Sequence, residues 1–185
     1  MFARTPRLLL RPGWAEDAPA LHAAIADEGI VRNLAKAPWP YRAEDAEAFL
    51  SRDRTGHDPV SLITMRTAGA PRLVGCIGLD HMESGEVELG YWIARPYWGL
   101  GIATEAGRAV IANARDTLRL TRLVAGHFID NPASGRVLRK LGFRPTGETR
   151  ARHSLGRGGE AMCAEFALDL AEPDAVDDPC AMLAA

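Results

Sequence analysis

Hydrophobic residues change their spacing several times along the chain, and each change marks an element. Residues 7–11, with Leu8-Leu9-Leu10, form a short apolar run closed by Pro12-Gly13, the pattern of a first strand. From Trp14 to about Glu28 the spacing becomes helical. Leu21, Ala24, Ile25 and Glu28 share a face, and Glu16 and Asp17 lie near the positive end. Pro38-Trp39-Pro40 breaks the chain. A second helix is predicted over roughly 43–53, ended by Thr55-Gly56-His57-Asp58-Pro59. The period then shortens. Residues 60–67 and 73–82 read as strands joined by Ala68-Gly69-Ala70-Pro71. After Gly85, residues 86–94 read as a third strand, with Val87, Leu89, Tyr91 and Ile93 on one face. A central antiparallel meander follows. Beyond Gly101 a helix is predicted over 102–113 and a strand over 122–128. Asn131-Pro132 opens a helix over 132–140, which Gly142 ends, and strands over 143–148 and 161–168 complete the series.

This order predicts an α+β (mixed α/β) arrangement in one domain over residues 1–170. Residues 171–185, rich in acidic, proline and small residues, are expected to form a loose tail. With 185 residues, 47% of them hydrophobic, the chain can bury a real core without a staple. A formal net charge of -2 points away from nucleic acid and anionic membrane as partners. Cys76, Cys163 and Cys180 are odd in number and widely spaced, so neither a disulfide framework nor a zinc site is expected. The histidines show no ligand spacing, and no metal is expected. No run approaches a membrane span or a signal sequence, and the expected location is cytoplasmic.

The chemistry concentrates in the stretch from Glu88 to Ala106. A strand runs into Arg95-Pro96-Tyr97-Trp98-Gly99-Leu100-Gly101, and this glycine turn opens a helix. Bare backbone N–H groups and the helix start together make a seat for a pyrophosphate, with no lysine required. A Walker A loop is absent. A dinucleotide fingerprint fails at its third glycine, where Thr104 stands, and the preceding strand belongs to a meander and not a βαβ unit.

The turn, as Trp98-Gly99-Leu100-Gly101-Ile102-Ala103, resembles the acyl-CoA loop of the GNAT superfamily of N-acetyltransferases, [QR]-x-x-G-x-[GA]. Trp98 departs from the Gln/Arg position. A tryptophan there, within Tyr-Trp-Gly-x-Gly-x-Ala-Thr-Glu-Ala, is similar to the ribosomal-protein N-terminal alanine acetyltransferase branch. Asn131-Pro132-Ala133-Ser134, followed by Leu138-Arg139-Lys140-Leu141-Gly142-Phe143, resembles the family's Asn-x-x-Ser…Leu-Gly-Phe block, and Thr5 to Pro12 is a weaker match. The resemblance implies a central, mostly antiparallel mixed sheet of six to seven strands flanked by about four helices. It also implies acetyl-CoA as acyl donor and an amine as acceptor.

Residue roles follow from that resemblance. Trp98, Gly99, Leu100, Gly101, Ala103 and Thr104 would cradle the pyrophosphate. Trp92 and Ile93 would offer main chain to the pantetheine arm and the thioester carbonyl where the central strands splay. Asn131, by default a helix cap, would also lie near the pantetheine arm. Ser134 would protonate the departing thiolate; its plain reading is a first-turn serine. Glu88 is the first candidate for the base, with His153, Glu148 or a water behind it. Trp39-Pro40-Tyr41 is expected at the acceptor entrance. A protein N-terminus, a polyamine, an amino acid or an aminoglycoside all remain open as acceptors, and monomer and homodimer are both open. The rival reading is a non-catalytic acyl-CoA-binding module on the same fold.

Overall fold

The computed structural model describes residues 1–52 and 58–170. The expected turn at 55–59 lies largely outside them, as do Cys180 and the expected tail over 171–185. Eight strands form one sheet in the order β1-β2-β3-β4-β5-β6-β8-β7. They are β1 (Ala3–Arg4), β2 (Leu8–Arg11), β3 (Val60–Met65), β4 (Arg72–His81), β5 (Val87–Ile93), β6 (Arg122–Phe128), β7 (Arg144–Ser154) and β8 (Gly159–Asp169). Five α-helices accompany them: α1 (Ala18–Ile25), α2 (Glu28–Val31), α3 (Ala43–Leu50), α4 (Ile102–Asp116) and α5 (Pro132–Lys140). The mixed, mostly antiparallel sheet is as expected, and its extra strand is the two-residue β1. The helix expected over 14–28 is broken instead. Asp27 stops it by turning its side chain to the Gly29 N–H at 2.8 Å, which caps α2 as a separate turn. Glu28 therefore does not share the α1 face.

Strand alternation gives the sheet two buried faces. Leu8, Leu10, Ile63, Ile77, Leu79, Leu89, Leu123 and Phe166 pack with Ile102, Ala106 and Val110 of α4 and Leu138 of α5. On the other face Leu62, Cys76 and Trp92 pack against Leu21, Ile25, Ile30, Val31 and Ala46 of α1–α3. Each fully buried leucine or isoleucine contributes roughly 1.5–3 kcal/mol. No helix among the described residues is long and apolar enough to cross a membrane.

One joint in the sheet differs from the rest. β4 and β5 are registered over seven pairs, from Gly75↔Ile93 to His81↔Val87, and β6 and β8 over seven, from Arg122↔Asp169 to Phe128↔Cys163. Between them β5 and β6 are parallel and share one registered pair, Glu88↔Val124. Beyond that pair the strands diverge, and the sheet opens into a wedge.

Candidate active site

Three elements converge on the wedge. The first is the turn into α4. Gly99 has φ +77° and Gly101 φ +76°, a region that costs an L-residue about 1–2 kcal/mol. A Cβ on Gly99 would meet nothing within 4 Å, so the backbone there lies open to an approaching ligand. Gly101 is the N-cap of α4 and offers no side-chain cap, leaving the first-turn N–H groups for an anion. Leu100 is exposed, while Ala103 and Thr104 are buried in that first turn. Of this set, the main chain at 99–101 is the part left open at the surface.

A brace holds the turn, with no sign of it in the residue pattern beyond the weak match at Thr5–Pro12. Glu105 of α4 accepts from Thr5 Oγ1 at 2.6 Å, from the Arg7 N–H at 2.9 Å and from Arg7 Nε at 2.7 Å. Arg7 Nη1 in turn donates to the Leu100 carbonyl at 3.0 Å. Burial raises the Glu105 pKa, but these hydrogen bonds outweigh it and hold the carboxyl below its ordinary value.

The second element is the end of β5. The Ala94 N–H donates to the Val74 carbonyl on β4 at 2.8 Å. In an antiparallel ladder that turns the Ile93 N–H and C=O the other way, toward the wedge. Ile93's carbonyl takes the indole N–H of Trp98 at 2.6 Å, which leaves its N–H facing the opening. Trp92 corrects the expectation. Its carbonyl points at Gly75 on β4, and its side chain is buried in the α1–α3 core. Trp98 is 48% exposed and acts as a clip between the strand end and the glycine turn.

The third element is the start of α5. Asn131 caps it, accepting from the Ser134 N–H at 3.4 Å. Ser134 Oγ lies 2.8 Å from the phenol oxygen of Tyr91 on β5. Burial pushes Tyr91 up to about 12, despite its hydrogen bond to Ser134. Sequence reasoning gave Tyr91 only a packing role.

Glu88 lies three residues before Tyr91, on the opposite face of β5. Its Oε1 accepts from Arg152 Nη1 at 2.5 Å, with side chains 19% and 25% exposed. Segment 34–36 is tied to the strands on either side of this pair. Lys36 bonds Asp80 on β4 at 3.1 Å, the Leu155 N–H donates to the Ala35 carbonyl, and Ser154 Oγ donates to the Leu34 carbonyl at 2.7 Å. Glu165 of β8 joins the same cluster, its carboxyl pushed up by burial and by Glu88 against the pull of Arg152. Cys163 is held as a thiol, pushed up to about 11 by burial. His153 does not sit in a loop. It belongs to β7, next to Arg152 and so on the other face, and it is exposed. Glu148 is also exposed and engaged by Arg150 at 2.5 Å. Trp39 is 41% exposed, whereas Tyr41 is buried.

The glycine turn is joined to the end of β5 through Trp98, and β5 to the serine at the start of α5 through Tyr91. The description "Acetyltransferase (GNAT) domain" matches residues 7–144. The chain belongs to the GNAT acetyltransferases. It is 28% identical to the N-acetyltransferase YoaA of Bacillus subtilis over 153 residues, 79% of this chain and 84% of that one. Over 73 residues it is 33% identical to the ribosomal-protein-serine acetyltransferase of Escherichia coli, 38% of this chain and 41% of that one. Its fold also matches RimL, a ribosomal L7/L12 alpha-N-protein acetyltransferase solved with coenzyme A. That match has a TM-score of 0.74 at 19% identity and covers 91% of this chain and 98% of the other. As a GNAT enzyme the chain is an acetyl-CoA-dependent N-acetyltransferase.

Proposed function

We propose that the enzyme moves the acetyl group of acetyl-CoA directly to a primary amine, with a protein N-terminus as the preferred acceptor. The observation that carries this is the wedge beyond Glu88↔Val124, with Ile93 turning main chain into it beside the Gly99–Gly101 turn. The turn would hold the pyrophosphate, and the Ile93 N–H would face the thioester oxygen, where charge develops during attack. Ser134 would hydrogen-bond the departing sulfur. Glu88, on the opposite face, would take the amine's proton directly or through a water. Donor and acceptor would thus meet through the wedge from the two faces of the sheet. Direct attack is favoured over an acyl-cysteine because Cys163 remains protonated at neutral pH. The N-terminal preference is supported by the relative from Escherichia coli, which acts on ribosomal protein.

Calorimetric titration with acetyl-CoA tests the cradle, with Gly101→Trp as the blocked variant. Binding to the parent and none to the variant is expected. Product mass then reads acetylation of a panel: free and N-terminally blocked peptides, spermidine, lysine and an aminoglycoside. Acetylation of the free peptide alone is expected. Transfer to spermidine but not to peptides would replace the N-terminal acceptor with a small molecule.

A further inference from the structure

We infer that Tyr91 is a positioning residue: its phenol donates to Ser134 Oγ and so turns the serine's own hydrogen outward, toward the departing sulfur. The inference rests on the acetyl-transfer reading above and concerns how its donor is aimed. A serine hydroxyl has one hydrogen on a free rotor and two acceptor sites. Near a helix start that hydrogen is readily lost to a neighbouring backbone carbonyl. Aimed inward, it would leave only lone pairs toward a sulfur that is gaining negative charge. The direction of this single hydrogen therefore decides whether Ser134 helps or hinders departure.

The geometry selects between two arrangements. Tyr91 OH lies 2.8 Å from Ser134 Oγ and 3.3 Å from the Ser134 carbonyl. If the phenol hydrogen went to the carbonyl, the serine would give its own hydrogen to Tyr91. That pairs the phenol hydrogen with the longer contact, outside the ordinary O–H···O range. If the phenol hydrogen goes to Oγ, the short contact is a normal hydrogen bond and the serine hydrogen is released. A phenol is also the more acidic of the two hydroxyls and the better donor.

Two further features suit a fixed donor. The ring is held on β5, packed against the core on the α4–α5 face, so its oxygen is aimed by the sheet. The contact joins β5 to α5 directly, which are the two sides that the parallel strand pair leaves weakly connected. Burial pushes the phenol up to about 12, so it keeps its hydrogen across the working pH range and is not the source of the transferred proton. Donation from Tyr91 polarises the serine O–H and strengthens the bond that O–H makes to sulfur.

A four-protein cycle of parent, Tyr91→Phe, Ser134→Ala and the double variant tests this, with kcat and the KM for acetyl-CoA measured against pH. Tyr91→Phe should lower kcat about tenfold, leave the KM for acetyl-CoA within about twofold and keep the shape of the pH profile. In the Ser134→Ala background the same change should cost less than about twofold, because its only target is gone. Equal losses in both backgrounds would overturn the inference, as would an unchanged kcat or an effect confined to KM. Loss of an alkaline limb in Tyr91→Phe would make Tyr91 a proton donor and also overturn it. If the parent transfers acetyl to no amine, the transferase reading itself fails, and the Tyr91 inference falls with it.

Discussion

Glu165 shows how one side chain can work against the fold that houses it. Its carboxyl sits half-buried near Glu88, with Arg152 and then Arg150 as partial compensation, and its pKa lies above the ordinary 4.5. A carboxyl raised in the folded state binds more protons folded than unfolded. Its stabilising contribution is complete below the unfolded pKa and is lost as pH rises through the folded one. Glu165→Gln should therefore raise the melting temperature at neutral pH, with the difference shrinking toward pH 4. Thermal unfolding followed by circular dichroism across that range checks this. A variant less stable at pH 7 would mean that the charge is compensated in the folded protein. Glu88 stands in the same cluster but is tied to Arg152, which fixes where its carboxylate points.

The element to watch is the start of α4. Its glycine turn is the proposed anion seat, and Thr5 and Arg7 from the far end of the sheet hold the turn in shape. Arg7→Ala removes the brace to Leu100 and strips the Glu105 carboxylate of its cationic partner among the described residues, leaving it bonded to Thr5 and the residue-7 N–H and so more repulsive to an anion at the turn. Both effects have the same sign, and acetyl-CoA affinity should fall about tenfold, more at low salt than at high. Calorimetry at two ionic strengths reads it, and unchanged affinity would show that the turn keeps its shape unaided.

Legibility in the sequence followed the strength of local punctuation. β6 and α5 fall where expected, over Arg122–Phe128 and Pro132–Lys140, because Asn131-Pro132 and Gly142 mark both ends of α5. The turn into α4 and the first-turn position of Ser134 on α5 were legible for the same reason, as local structure. β7 was expected to stop at residue 148 but runs to Ser154. Its second half, Thr149-Arg150-Ala151-Arg152-His153, has no apolar alternation, and only pairing with β8 makes it a strand. Arg152 was missed with it, and so was the ion pair that holds Glu88. The Tyr91–Ser134 contact was hidden differently. It joins residues 43 positions apart, and alternation placed Tyr91 with the core without saying what its oxygen met.

At the scale of the whole molecule, two well-registered sheet halves meet through a single residue pair. On the proposed reading, acetyl-CoA in the wedge would touch Ile93 of one half and Ser134, at the start of α5 after β6, and so fasten the two. Acetyl-CoA is expected to slow amide exchange in β6 at least tenfold, as well as in the 99–105 turn. Hydrogen-exchange mass spectrometry with and without acetyl-CoA measures this. Slowing confined to the turn would mean that the ligand is gripped by its phosphates alone.

The order of the strands also dictates a timetable for self-assembly. β8, the last strand described, is not at the edge of the sheet but between β6 and β7. Until it arrives, β6 has only its single pairing to β5, and the neighbour it needs has yet to be synthesised. The first five strands find every partner within the chain already made, even across the long β2–β3 connection, whereas β6 must wait for β8, which starts roughly thirty residues further on. A nascent chain stalled before residue 159 would carry a finished meander and an unclosed half-sheet with bare strand edges, the kind of species that chaperones bind.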